Sequence, residues 1–375
     1  MVDLNHPGCT GCGVCALVCP SHCLELAIDP NGEYRPRITG RPCSSCGLCE
    51  RKCIAVQVDE ERSDILECCY GYANDPKLRF QSTSGGVFYA IAQMFIKRGG
   101  VVAGAAFNSD GELTHIIAGS ESELQRIRGS KYLESNAAKV FPGVQACLEE
   151  QVEVLFSGVP CEISALKRFL GKKYDNLTCC EVFCHGAPRV GIFKKYLRYL
   201  EKKYGKMRKF EFRSKRRGWD CPSYEICLEK KTIFHAHEKD IYHLMFGYHD
   251  SLRQSCFQCA RRSLKRGADI SLGDFWGIEK YYPEEKVKAG ISAVLINTEQ
   301  GKRILNSSDI TMVPCRAEEI FDKNRWMVSN FEKPKSYARF TNDYKRMTDS
   351  VFFIKWKFMY QIVYRIRNLI GRFLR

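Results

Sequence analysis

Eight cysteines near the amino terminus constrain this chain more than any other feature. They fall in two runs, Cys9-Thr-Gly-Cys12-Gly-Val-Cys15-Ala-Leu-Val-Cys19-Pro20 and Cys43-Ser-Ser-Cys46-Gly-Leu-Cys49-Glu-Arg-Lys-Cys53-Ile54. Both read CxxCxxCxxxC, an internal repeat offset by 34 residues. Three thiolates at CxxCxxC spacing can wrap one corner of an iron–sulfur cubane from a tight loop. The fourth, on the following helical turn, points away toward a second cluster. A tetrahedral zinc site usually draws on two separated CxxC pairs, and the crowding here, present twice, argues against it.

The spacing is that of bacterial ferredoxins with two 4Fe–4S clusters. It assigns Cys9, Cys12, Cys15 and Cys53 to cluster I, and Cys43, Cys46, Cys49 and Cys19 to cluster II. Gly11, Gly13 and Gly47 suit loops whose backbone hugs a cluster and donates N–H groups to its sulfurs. Pro20 follows the first run but Ile54 follows the second, a departure that weakens the second site little. Cys23, just past the first run, reads as a packing residue.

Composition bounds the remainder. The 375 residues exceed what one hydrophobic core ordinarily serves, so at least two units are expected. An apolar fraction of 45% excludes wholesale disorder, and 21 cysteines, an odd number, fit poorly with a fully paired disulfide framework. The start, MVDLNHPGCTGC, has neither the basic nor the apolar segment of a signal peptide, and no apolar stretch of spanning length occurs. The expected setting is a reducing cytoplasm, where cysteines serve metal or redox chemistry.

After Cys53, residues 54–66 read as a linker or docking strand. From about residue 80, strand-like and helix-like segments alternate: a helix over 87–97, a strand over 101–107, a capping box at Ser120 and Glu123, a strand over 152–157 leading into a helix that ends near Gly171, and further strands over 178–184, 268–276 and 291–297. Residues 206–235 look like antiparallel strands. The predicted fold class is α+β or α/β: a dicluster ferredoxin domain (1–62), a mixed-sheet α/β domain (63–345, with parts at about 66–150 and 151–330), and an amphipathic tail helix (346–375). No GxGxxG follows a strand, and Walker A, HExxH and nucleophile-elbow sequences are absent.

A series of short motifs runs through the body. Ser82-Thr83-Ser84-Gly85-Gly86 comes first, then Arg128-Gly129-Ser130-Lys131-Tyr132, Ser157-Gly158-Val159-Pro160-Cys161 and Cys184-His185-Gly186. Arg217-Gly218-Trp219, Cys256-Phe-Gln-Cys259 and Asp269-Ile-Ser-Leu-Gly273-Asp274-Phe275-Trp276-Gly277 follow. In this order, over about residues 66–330, they resemble the beta subunit family of factor-420 (deazaflavin) hydrogenases and dehydrogenases, which also includes the plant hydroxymethyl-chlorophyll reductase. The resemblance implies an iron–sulfur flavoprotein oxidoreductase that binds FAD and passes electrons between its clusters and an organic substrate or deazaflavin-type carrier. It implies cofactor-binding roles for Ser84, Gly85, Gly86, Ser130, Lys131, Tyr132, Ser157 and Gly158. It also implies a third site at Cys161, Cys184, Cys256 and Cys259, where a further 4Fe–4S cluster, a zinc ion and four separate buried thiols remain alternatives.

His185 is read either as a proton donor near the flavin or as a histidine satisfied in its loop. Asp274 and Trp276 are read as pocket-lining or structural, and no general acid or base is assigned. Cys68, Cys69, Cys147, Cys179, Cys180, Cys221, Cys227 and Cys315 read as packing. Competing functions are an electron-transfer subunit with no substrate of its own and a non-catalytic cluster-binding protein without flavin. The expected partner is a redox protein or reduced carrier.

The net charge is +15, and residues 351–375 hold six basic and no acidic side chains. Phe352, Trp356, Met359, Val363, Ile366, Ile370 and Phe373 mark one apolar helical face. That pattern suits a peripheral contact with anionic lipid at the inner face of a membrane, or docking onto protein. No nucleic-acid motif accompanies the charge.

Overall fold

The computed structural model describes residues 1–57 and 62–373, with side chains as far as residue 362 in the last helix. Each cysteine run enters a one-turn helix, Val14–Leu17 and Leu48–Arg51, through a left-handed glycine: Gly13 at φ 76° and Gly47 at φ 72°. Between the runs, β1 (Leu24–Ile28) and β2 (Tyr34–Ile38) form an antiparallel pair.

The body is built on an eight-stranded mixed sheet. Its strands are β3 (Glu67–Ala73), β4 (Val101–Phe107), β5 (Leu113–Ala118), β6 (Val154–Gly158) and β7 (Leu177–Val182). A separate antiparallel sheet holds β8 (Met207–Ser214), β9 (Ser223–Leu228) and β10 (Thr232–Ala236). The large sheet then gains β11 (Ile270–Asp274), β12 (Ser292–Ile296) and β13 (Ile310–Pro314), giving the order β13-β3-β12-β11-β7-β6-β4-β5. The central strands β11, β7, β6 and β4 run parallel, and antiparallel neighbours flank them on both sides.

Alternate residues of the parallel strands face opposite cores, as a two-residue period requires. Leu155 and Cys180 pack with the helix Val87–Lys97, whereas Val154, Phe156 and Cys179 pack with the helices Phe141–Glu149 and Pro160–Leu170. The neighbouring thiols of Cys179 and Cys180 are therefore core residues of two different layers.

A third core lies between β8–β10, the helix Val190–Tyr204 and the first turns of the helix Asp349–Phe373. Phe352 and Trp356, expected on a lipid-facing stripe, are buried here. Trp356 Nε1 donates to Asp343 at 3.2 Å, and the Tyr360 hydroxyl donates to Asp250 at 2.8 Å. Over its described part that stripe is an internal docking face, because its rings complete the core beneath the small sheet. Val363, Ile366, Ile370 and Phe373 lie outside the residues whose side chains are described. Among the described residues no helix is long and apolar enough to cross a membrane.

The amino-terminal segment sits on the body through backbone contacts. The Gly191 N–H donates to the Gly32 carbonyl at 2.9 Å, and Arg189 Nη1 donates to the Asn31 carbonyl at 3.1 Å. The Tyr34 N–H donates to the buried Glu134 carboxylate at 2.9 Å. Further along, Ser63 and Arg266 exchange two backbone hydrogen bonds, which ties the segment after the second run to the body.

Candidate metal centre

The first loop is packed inward. Backbone N–H groups of Gly11, Val14 and Ala16 are directed at the sulfurs of Cys9, Cys12 and Cys15, and Cys53 is within electrostatic reach of all three. Burial pushes the thiols of Cys9, Cys12 and Cys15 up, Cys12 to about 12. Gly11 holds φ +65°, and a Cβ there would stand 2.5 Å from the Tyr34 carbonyl oxygen. Val14, fully buried, joins the core that includes Ile54 and the helix Pro160–Leu170.

The second loop faces outward. Cys43 and Cys46 are exposed, and every residue from Ile38 to Cys46 is exposed with them. The Ser45 N–H donates to the Cys43 sulfur at 3.4 Å, and the Val2 N–H donates to the buried Cys49 sulfur at 3.3 Å. Cys19 reaches the same region from the first run, with its sulfur 3.4 Å from that of Cys23. Burial pushes the Cys19 thiol up, but hydrogen bonds with Ser21 and Cys23 outweigh it and bring the value down to about 7.

The four body cysteines converge. Cys161 opens the helix after β6, and Cys184 follows β7, both at carboxyl ends of parallel strands, where open α/β sheets place ligands. Cys256 and Cys259 come from the short 3-10 turn Gln254–Gln258 and the residue after it. All four line one cavity of about 240 Å³, which the amino-terminal segment closes with His6, Gly8 and Thr10. Cys184 feels the charges of the other three, and burial pushes Cys161 up to about 11. The Ala187 N–H donates to the Cys256 sulfur at 3.4 Å, and Arg253 Nη2 donates to the Cys161 sulfur at 3.5 Å.

The fit of this cavity to an anionic cluster rests on one observation. Thr10 Oγ1, Arg253 Nε, Ser255 Oγ and Arg262 Nε are buried without a hydrogen-bond partner, and all four residues line the cavity. Leaving such groups unpaired costs about 1–3 kcal/mol each unless something fills the space.

Arg253, Arg261 and Arg262 line the cavity and were passed over by the sequence motifs. Arg253 donates to the Thr10 carbonyl, within the first loop, and also reaches Cys161. Arg261 donates to the Ile54 carbonyl at 2.7 Å, and Arg262 to the His185 carbonyl at 3.0 Å. Their signal was present as three arginines bracketing the Cys256-x-x-Cys259 pair.

The residues expected to bind flavin meet in space. The Ser130 N–H donates to Thr83 Oγ1 at 2.9 Å, and His115, beside Lys131, hydrogen-bonds the Ser157 carbonyl at 2.9 Å. Their chemistry, however, is already engaged. The Lys131 ammonium donates to the carbonyls of Arg126, Ile127 and Arg128, and burial brings its pKa down to about 7. The Tyr132 ring stacks on Phe246 with centroids 5.2 Å apart. Ser84 Oγ donates to the Ile291 carbonyl at 2.8 Å. A Cβ on Gly85 would stand 2.4 Å from the Gly71 carbonyl, so strand packing itself demands that glycine. Gly86, at φ +86°, starts the helix Val87–Lys97, and Gly158 abuts the capping Glu162. The side chains of Ser84, Lys131 and Tyr132 are thus engaged within the protein and offer no free group to a flavin.

His185 stacks on Trp326 at 4.9 Å and shares a 2.8 Å hydrogen bond with His249, and burial brings it down to about 3. It is therefore a neutral, satisfied loop histidine. Asp274 accepts from Arg213 at 2.8 Å and from Trp219 at 2.6 Å, and Trp276 stacks on Trp219 at 4.7 Å.

Residues 152–314 match the profile of the family described as the C terminus of the coenzyme F420 hydrogenase/dehydrogenase beta subunit. That stretch holds the body cysteines and leaves Ser82–Tyr132 outside it. Among solved structures, the chain is similar to one in a xenon-derivatised F420-reducing NiFe hydrogenase complex from Methanosarcina barkeri. The identity is 15% and the TM-score 0.45, over 71% of this chain and 92% of that one. No curated protein matches.

Proposed function

We propose, from the match of residues 152–314 to the C-terminal family of the coenzyme F420 hydrogenase/dehydrogenase beta subunit, that this chain is an iron–sulfur electron-transfer oxidoreductase. Electrons enter or leave at the exposed second loop, pass through the first loop and reach the cavity of Cys161, Cys184, Cys256 and Cys259. The observation that carries this reading is the cavity itself, with four thiols, the Nε atoms of Arg253 and Arg262 and two hydroxyls without hydrogen-bond partners, and a wall supplied by His6, Gly8 and Thr10.

The clusters, when bound, supply one-electron chemistry. The chain's own residues hold them and set the field around them. Cys9, Cys12, Cys15 and Cys53 hold the first, Cys43, Cys46, Cys49 and Cys19 the second, and the four body cysteines a third. Arg253, Arg261 and Arg262 would balance the negative charge of a cluster in the cavity; Arg253 ties it to Thr10 of the first loop and Arg261 to Ile54 beside Cys53. The outer partner is a redox protein or carrier with an acidic face, since Arg41 and Arg51 stand exposed around the second loop.

FAD, a substrate and catalysis by this chain alone rest on the resemblance. The engagement of Lys131, Tyr132 and Ser84 within the protein favours the alternative of an electron-transfer subunit that serves a separate catalytic protein. Anaerobic purification with iron, sulfide and flavin quantification tests all of this. About 12 irons per chain are expected for three clusters, and about 8 would remove the third. A stoichiometric flavin would restore the flavoprotein reading.

A further inference from the structure

The helix Asp349–Phe373 meets the body through one face of its described part. Phe352, Phe353, Trp356 and Tyr360 are buried there. On the opposite side Val351, Ile354, Phe358 and Ile362 are 53%, 63%, 62% and 37% exposed. At 3.6 residues per turn these four fall within an arc of about 80°, so they form one stripe. Single exposed apolar side chains are ordinary, but a run of neighbours marks a contact surface. Of the twelve large apolar side chains exposed among the described residues, four lie on this stripe. The core beneath β8–β10 is completed from the other side of the helix and uses none of them.

The charge around the stripe selects its occupant. Lys355 and Lys357 stand on its two sides, and Lys357 is exposed. Lys345 and Arg346, which end the preceding helix Tyr337–Arg346, are exposed as well. The acids beside the first turns are already paired, Asp343 with Lys355 at 2.6 Å and Asp349 with Arg198 at 2.9 Å. In sequence, residues 363–375 add four arginines and no acid. A second copy of this chain would bring the same positive charge against the stripe. A helical protein partner is usually matched by flanking charges of both signs, and here both flanks are basic. We infer that Val351, Ile354, Phe358 and Ile362 form a docking face for an anionic lipid surface. The apolar side chains enter the headgroup boundary, and the lysines meet the phosphates. The helix lies along the surface, since among the described residues none is long and apolar enough to cross a membrane. The inference is independent of the iron–sulfur reading.

The test sediments the full chain, purified anaerobically, with vesicles of phosphatidylcholine alone and with vesicles of equimolar phosphatidylcholine and phosphatidylglycerol. Wild type is compared with the Ile354→Gln/Phe358→Gln double variant, with Lys357→Glu, and with Leu264→Gln, which removes an exposed apolar side chain elsewhere. Wild type is expected to sediment with the mixed vesicles, less as salt rises, and to stay in solution beside the neutral ones. The double variant is expected to lose roughly tenfold or more in partition. Lys357→Glu is expected to lose severalfold at low salt, and Leu264→Gln nothing. A wild-type melting temperature reports that the double variant has folded. Wild type that ignores the mixed vesicles or binds both kinds equally, or a double variant that binds as wild type does, overturns the inference. So does a wild-type dimer that the double variant dissolves, which would put a second copy on the stripe. If the double variant does not fold, Lys357→Glu decides: weakened binding at low salt supports the inference, and unchanged binding overturns it.

Discussion

The two cysteine loops have the same spacing but opposite surroundings. At the third position of the first run stands Gly11, at φ +65°, pressed against the Tyr34 carbonyl. At the equivalent position of the second run stands Ser45, at φ 54° and exposed. The backbone turn around the sulfur is the same, yet only one loop forbids a side chain. The repeat repeats one backbone turn, while the neighbours of each loop decide whether it is packed against the body or left open to solvent. The first loop is walled by the body, and the second is open along Ile38–Cys46.

The sharpest way to break this comparison is to remove one ligand from each loop. Cys12→Ala is expected to empty the first site and lower the melting temperature of the whole chain, because Val14 anchors that loop in the body core. Cys46→Ala is expected to lose a similar amount of iron while the body melts as in wild type. Equal thermal penalties would show that the loops are not differently embedded.

The glycine comparison comes next. Gly11→Ser is expected to cost on the order of 3 kcal/mol, from left-handed strain plus a clash with fixed backbone. Ser45→Gly should change stability by less than about 1 kcal/mol. Chemical denaturation of the two variants checks both values.

A smaller effect concerns Glu134, which receives the Tyr34 N–H beside the first loop. Burial raises its carboxyl from 4.5 to about 8 against the opposing pull of Arg253. The folded chain therefore holds a proton that the unfolded chain releases. The stability this contributes is full below pH 4.5 and is lost as pH rises through about 8. Glu134→Gln is expected to flatten the melting temperature over that window, and an unchanged slope would place the titration elsewhere.

The smallest expected effect is at the open loop. Arg41→Glu should slow electron exchange with an acidic redox partner severalfold at low salt, and the difference should fade as ionic strength rises. Stopped-flow reduction at several salt concentrations measures it.

What could be read from sequence divides along the same line of locality. The two cysteine runs are local, so their spacing alone singles out eight cysteines as candidate ligands. The parallel strands were legible because apolar runs such as Val154-Leu-Phe-Ser-Gly158 fit a strand covered on both faces. Arg253 reaching Thr10, 243 residues away, has no local signature. Gly85 has one, but an ambiguous one: a glycine before a helix suits a ligand as well as a neighbouring strand, and here the strand carrying Gly71 is what approaches. The tail shows the same limit, since an apolar face flanked by basic residues looks alike whether it meets lipid or the core beneath β8–β10.

The hydrogen bond between Gly191 and Gly32 has a kinetic consequence. It joins two backbones with no side chain between them, and a Cβ on Gly191 would stand 2.6 Å from the Gly32 Cα. A segment seated this closely is not a swinging arm. Under the proposed function, electron movement inside the chain would be governed by fixed separations, and a viscous cosolvent would slow encounters with outside partners while leaving internal equilibration untouched.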